Sequence, residues 1–377
     1  MLSRDLAEIP VVDGHCHFFD MELQERDPSG VLCLSLHDPP EEQRRSTLWF
    51  LRTTRLLAEY LEVDPDAEPE QVWTFRMERA GRGYRAYVAD LFAHARIRGL
   101  VVDTGYRPAA VEPEAFRTFA PCPVMYLFRI ESVLDELLRR RPAWDVVEAE
   151  FHRALDDAGR QPGFAGLKSI IGYRTGVAVD PTVTRERARE AYAAGDEKPV
   201  RDYFFLVAAE EAARLDVPLQ VHTGFGESNN RVVNNNPVLL KEVLESGKAR
   251  RTRLVLLHAG YPYAFEAGYM AHCYPNVYCE FSELIPFAQA PARMALMELL
   301  ALAPLNKVMY GSDGYILPEL HWSGALGGRE ELAGALEELV RRRFLSASQA
   351  IVWAEAVLHR TAAGLYGVQV EEGGALG

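Results

Sequence analysis

No stretch of this chain stays apolar for the roughly 18 residues that a membrane-crossing helix requires, so a bilayer span is not expected. Cysteine is scarce: Cys16, Cys33, Cys122, Cys273 and Cys279 make an odd total of five, with no CxxC spacing. That pattern argues against a disulfide framework and reads as reduced thiols, three of them in or beside apparent strands. Basic residues are outnumbered, 41 Lys and Arg against 54 Asp and Glu, for a net charge of −13. Without a basic stripe to release phosphate counterions, nucleic acid is not an expected partner, and neither is an anionic membrane surface. No basic-then-apolar leader fits ahead of the first apolar run, so a cytoplasmic location is expected. There is also no low-complexity tract and no repeat at a fixed period.

What the chain does have is ample apolar material, 48% of 377 residues, arranged in short runs. Eight of these read as buried strands, at about 9–18, 98–105, 123–130, 164–171, 217–223, 253–259, 276–282 and 307–312. Amphipathic segments at 144–158, 201–215, 237–246, 291–302 and 329–343 read as helices between or after them. Strands alternating with crossover helices predict an α/β fold, a (β/α)8 TIM barrel. A doubly wound open sheet competes, but it would gather ligands at one crevice. Here polar groups recur at the ends of runs 1, 4, 5, 6 and 8.

A minimal barrel uses roughly 250 residues, so the chain has a surplus. Most of it lies at about 20–96, with helical-looking stretches at 41–61 and 69–96, and a smaller part at about 175–200. Both follow strand C-terminal ends, the catalytic face of this fold. They are expected as lids or substrate caps of one domain spanning 1–377, and such helical insertions are also compatible with a homodimer.

The polar groups at the strand ends are His15 and His17 in VVDGHCHFF, Lys168 in FAGLKSII, His222 in PLQVHTG, His258 in LVLLHAG and Asp313 in VMYGSDG. Buried polar groups are costly unless satisfied, and one divalent metal at the barrel mouth would satisfy all six. His15 and His17 are two apart, so on a strand both imidazoles share a face. Any one of these histidines could be a hydrogen-bonded core residue. Four at strand ends, with a GSD on the last strand, point to a metal site. Lys168 leaves three readings open. It could be a carbamate bridging two ions, an amine that meets a substrate carboxylate or acts as an acid, or a buried stem whose head reaches solvent or an acidic partner.

In this order, HxH, Lys, His, His and Asp on strands 1, 4, 5, 6 and 8 resemble the amidohydrolase superfamily across essentially the whole chain. KSIIGYRTG, VHTGFGE and YGSDG look most like its amidohydrolase 2 branch, similar to the amidohydrolase domain of FluG-type and nodulin-type glutamine synthetase fusions. The resemblance implies that His15, His17 and His222 are metal ligands, and that Asp313 both ligates and takes a proton. It implies that His258 is a ligand in a two-ion site, or a base and oxyanion stabiliser in a one-ion site. The expected cofactor is one or two divalent ions, zinc first, with manganese or iron as alternatives. The expected reaction is hydrolysis of a C–N amide-type bond of a small, carboxylate-bearing substrate through a metal-activated water. Non-oxidative decarboxylation of a small organic acid is the alternative, and a non-catalytic binding barrel is a third reading.

For the substrate, Arg129 at the end of run 3 and Arg174 after run 4 could grip a carboxylate bidentately, or could be structural ion pairs. Tyr173 and Glu227 are further candidates. Glu227 lies in GFGESNNRVVNNN, residues 224–236, a loop with five asparagines directly after His222. Glu131, Glu280 and Glu283 stand near strand ends with no assigned role.

Overall fold

The structure is a computed structural model that describes residues 2–106 and 111–370. Its eight-stranded sheet follows chain order, every neighbouring pair parallel. The strands are β1 (Val11–Cys16), β2 (Ile97–Asp103), β3 (Val124–Arg129), β4 (Phe164–Ser169), β5 (Leu219–Val221), β6 (Leu254–Leu256), β7 (Val277–Glu280) and β8 (Val308–Met309). Main-chain bonds from the segment after β8 bring the last strand back to the first. Gly14 N donates to Tyr310 O at 2.9 Å, Asp313 N to His15 O at 2.9 Å and His17 N to Gly314 O at 2.7 Å. Parallel neighbours joined by helical crossovers and closed on themselves are a (β/α)8 barrel, as expected.

Its interior is packed. Val12, Val101, Leu127, Val255 and Met309, one from each of five strands, form a buried cluster with Ala362, Tyr366 and Val368 from the C-terminal segment. Gln220 fastens that plug, its Nε2 donating to Tyr366 Oη at 2.7 Å and to Gly14 O at 2.8 Å. With this part of the barrel filled, polar side chains must gather at the C-terminal strand ends.

Helices form where apolar residues recur every three or four positions. In Trp144–Gly159 the buried set is Trp144, Val147, Phe151, Leu155 and Ala158. The segment expected at 201–215 begins earlier, at Glu197, because Asp196 caps it by accepting from Lys198 N. The segment expected at 329–343 is the tail of a 24-residue helix, Pro318–Arg341. Its first half was hidden by glycines, which are poor helix formers. They are there for close packing: a Cβ at Gly324 would lie 2.9 Å from Ser312 Cβ, and one at Gly328 2.5 Å from Tyr310 Cε2.

The 20–96 insertion contains the helices Leu48–Tyr60, Pro69–Gly81 and Tyr84–His94, the last two separated at Arg82 and Gly83. A buried ion pair ties it to the barrel: Arg76 Nε to Glu319 Oε1 at 2.5 Å and Arg76 Nη2 to Glu319 Oε2 at 3.2 Å, with Tyr87 Oη donating to the same carboxylate at 2.8 Å. Its residues 25–36 run along the mouth of the barrel cavity. No residue of 175–200 lines that cavity. Helix Arg185–Ala194 packs on the barrel flank, where Tyr192 meets Trp144 with ring centroids 5.6 Å apart. Among the described residues no helix is long and apolar enough to cross a membrane.

Candidate metal centre

The strand ends aim their side chains by leaving regular geometry. His258, Ala259, Glu283 and Asp313 all have left-handed backbones, with φ of 63, 51, 58 and 55°. Side chains other than glycine rarely hold this conformation, and they do so mainly where a site needs it. The turns bring all six expected residues to one cavity of about 680 Å³. Asp313 Oδ1 lies 3.1 Å from His15 Nε2 and 3.3 Å from His17 Nε2. Lys168 Nζ is 3.4 Å from His15 Nε2, and His258 Nε2 is 2.9 Å from His222 Nδ1. The His15 and His258 rings approach to 5.6 Å between centroids.

The electrostatics suit a cation. Burial, reinforced by Lys168, pulls His15 down to about 4. Burial likewise holds His222 and His258 well below the usual imidazole range. At neutral pH these three are uncharged, the form that ligates metal. Burial alone would raise the Asp313 carboxyl, but hydrogen bonds from His15 and His17 overcome it and hold the group well below the usual range. Burial pulls the Lys168 ammonium down to about 8 against the opposing charge of Asp103. Its head is buried beside His15 and does not reach bulk solvent. One donor atom from each of His15, His258 and Asp313 falls within 4.8 Å of the others, and so do those of His15, His17 and Asp103. Neutral imidazoles and an ionised carboxylate at this spacing fit a divalent transition metal.

The model of the amidohydrolase family matches residues 12–368. The chain belongs to that family. Protein fluG of Emericella nidulans is 30% identical over 242 residues, which cover 59% of this chain and 28% of that protein. The chain therefore corresponds to under a third of that relative's length. A Lactobacillus casei protein assigned as a metal-dependent hydrolase has a similar structure, with TM-score 0.83 and 26% identity over 97% of both chains. The uronate isomerase of Thermotoga maritima shares the fold, with TM-score 0.66 and 13% identity over 97% of this chain and 96% of that one.

Within this amidohydrolase, buried side chains grip the ligand-bearing turns. Asp13 accepts from Ser312 N at 2.8 Å and Ser312 Oγ at 2.5 Å, and Ser312 Oγ accepts from Gly314 N at 2.8 Å. The turn that presents Asp313 is thus bonded on both sides. Ser282 Oγ donates to Glu280 Oε2 at 2.6 Å and sits 2.9 Å from His258 Nδ1. A hydroxyl whose proton goes to Glu280 accepts from His258, which places that imidazole's proton on Nδ1 and leaves Nε2 free to bind.

Arg129, Tyr173, Arg174 and Glu227 all line the cavity. Both arginines are engaged with protein carboxylates. Arg129 Nη2 lies 2.5 Å from Asp103 Oδ2, and Arg174 Nη2 lies 2.7 Å from Asp135 Oδ2. Burial opposes ionisation of Asp103, but Arg129 holds its carboxyl well below the usual range. Tyr173 donates to Glu227 and packs on His222, with ring centroids 4.4 Å apart. Glu131 is turned to Ser169, whose Oγ donates to it at 2.7 Å.

Two site residues, Asp103 and Asn230, were not singled out as such from the sequence. Asp103 ends the run LVVD just as Lys168 and His222 end theirs, so the same signal was present. Asn230 Nδ2, 3.2 Å from His222 Nε2, comes from an irregular loop with no periodic signal. Glu283, a candidate without an assigned role in the sequence, lies beyond β7 and reaches the cavity because the chain turns there.

Proposed function

We propose that this protein is a metal-dependent amidohydrolase that cleaves a C–N amide-type bond of a small, carboxylate-bearing substrate. The observation that carries the reading is the meeting of four imidazoles, one lysine and one ionised aspartate, from five strands, in one cavity. His15, His17, His222, His258 and Asp313 would hold the metal, with Lys168 beside them. The nitrogen-rich donor set favours zinc, with manganese or iron as alternatives. A bound divalent ion supplies Lewis acidity that polarises a carbonyl and acidifies water.

The chain's own residues do the rest. Asp313, kept ionised by His15 and His17, takes the proton of the attacking water and passes it to the departing nitrogen. His258, whose Nδ1 proton goes to Ser282, would offer its unprotonated Nε2 to the metal. Arg129, Arg174 and Lys168 give the cavity positive groups for a substrate carboxylate, and Tyr173 and Glu227 also line it. A cavity of about 680 Å³ matches a small molecule. All five cysteines are free, which supports a reducing, cytoplasmic setting.

The test is a panel of small amides bearing a carboxylate, assayed on enzyme reconstituted with zinc, manganese or iron. Release of amine is expected, and release of CO2 in its place would overturn the hydrolytic reading. Asp313→Asn is expected to lower kcat by roughly 10²–10⁴-fold while the protein stays folded by circular dichroism. Near-normal turnover by that variant would remove Asp313 from proton transfer.

A further inference from the structure

The cavity has an apolar side that the mechanism above leaves unused. A buried cluster that includes Trp49, Phe50 and Leu320 ends in four half-buried members, Val31, Phe287, Tyr315 and Ile316, and all four line the cavity. Apolar surface left facing water forgoes the gain of burial, and a ligand that covers it recovers that gain. The one polar side-chain atom among the four is already spent, because Tyr315 Oη donates to Val31 O. The side chains therefore offer carbon alone. The Phe287 and Tyr315 rings lie within 9° of parallel with centroids 6.4 Å apart, and Trp49 braces Phe287 at 4.3 Å. Ile316 has a φ of 57°, a left-handed backbone that a branched side chain rarely adopts outside a site that needs it. Two main-chain bonds pin it there, Ile316 N to Phe18 O and Asp20 N to Ile316 O, both 2.9 Å. The patch adjoins the metal centre. Tyr315 stands two residues beyond Asp313, and Tyr106 sits edge-on to Tyr315 at 5.8 Å while meeting the His17 ring at 5.6 Å.

We propose that Val31, Phe287, Tyr315 and Ile316 form a subsite for an aromatic group, so that the enzyme prefers amides carrying both a carboxylate and an aryl ring. This rests on the hydrolytic reading above and narrows the substrate class within it. Ring faces from Phe287 and Tyr315 and a neighbouring edge-on ring suit a flat group better than a branched alkyl one. A cavity of about 680 Å³ has room for a ring beside the carboxylate. Phe287 and Tyr315 thereby set specificity and take no part in proton transfer.

The experiment compares matched amides on the metal-loaded protein: N-benzoylglycine against N-acetylglycine, and N-phenylsuccinamate against N-methylsuccinamate. The members of each pair share their carboxylate and amide and differ in the ring. At least one aryl member is expected to show a kcat/KM about tenfold or more above its partner. F287L, which keeps apolar bulk without the plane, is expected to cut that ratio severalfold, and F287A to cut it further. Calorimetry with phenylacetate and acetate gives a check that needs neither turnover nor a variant. Phenylacetate is expected to bind about tenfold or more tightly than acetate, with a negative heat-capacity change. Equal binding of the two acids would overturn the subsite. So would equal kcat/KM within both amide pairs, or a ratio that F287A leaves unchanged. No turnover of any amide, with the phenylacetate preference intact, would remove the hydrolytic reading and leave the aromatic subsite standing.

Discussion

The grip of Asp13 on the turn that presents Asp313 makes a prediction with a calculable size. Asp13 is fully buried, and its two oxygens accept from Ser312 N at 2.8 Å and Ser312 Oγ at 2.5 Å. Hydrogen bonds to a charged group contribute about 1.5–3 kcal/mol each. Asp13→Ala removes both acceptors and leaves buried donors behind, so a loss of about 3–6 kcal/mol is expected. Asp13→Asn is milder. Its amide oxygen can still serve Ser312 N, but the NH2 that replaces the second oxygen cannot accept the proton that Ser312 Oγ donates. One bond should fail, at about 2 kcal/mol. Asp313 follows Ser312 directly with φ 55°, so a loosened turn moves its carboxylate relative to His15 and His17. Loss of such a supporting contact weakens metal binding about 10–100-fold. Urea denaturation of the metal-free protein gives the first quantity and calorimetric zinc titration the second. An Asp13→Asn protein with wild-type midpoint and wild-type zinc affinity would refute the reasoning.

Two further changes probe other contacts. Arg76→Met strands the Glu319 carboxylate, which is wholly buried, and is expected to cost about 3–5 kcal/mol. The double variant Arg76→Met/Glu319→Leu should recover part of that loss, and urea melts that rank the double variant below the single would contradict the account. Ser282→Ala removes the hydroxyl between His258 Nδ1 and Glu280, and zinc affinity is expected to fall about 10–100-fold. Unchanged affinity would mean that packing alone orients the imidazole.

The eight strands were legible because each is a short apolar run bounded by turn residues, and their observed limits fall within two or three residues of most expectations. The helix over 318–328 was not, because glycines chosen for contact with Tyr310 and Ser312 mask its helical pattern. Arg129 and Arg174 read equally well as substrate clamps or ion pairs from sequence. Asp103 and Asp135, which settle their present partners, lie 26 and 39 residues away along the chain.

By itself the sequence determined the barrel and the six polar groups at its strand ends. Periodicity and burial are local properties, and a buried histidine or lysine at the end of an apolar run shows its cost without coordinates. Only the tertiary structure decided which of those groups touch, that Asp13 and Ser282 hold the turns, and that Glu283 faces His222 and His258. Such relations depend on left-handed turns and on closure of the ring, which join residues up to 299 positions apart. No pattern within a window of sequence encodes that distance.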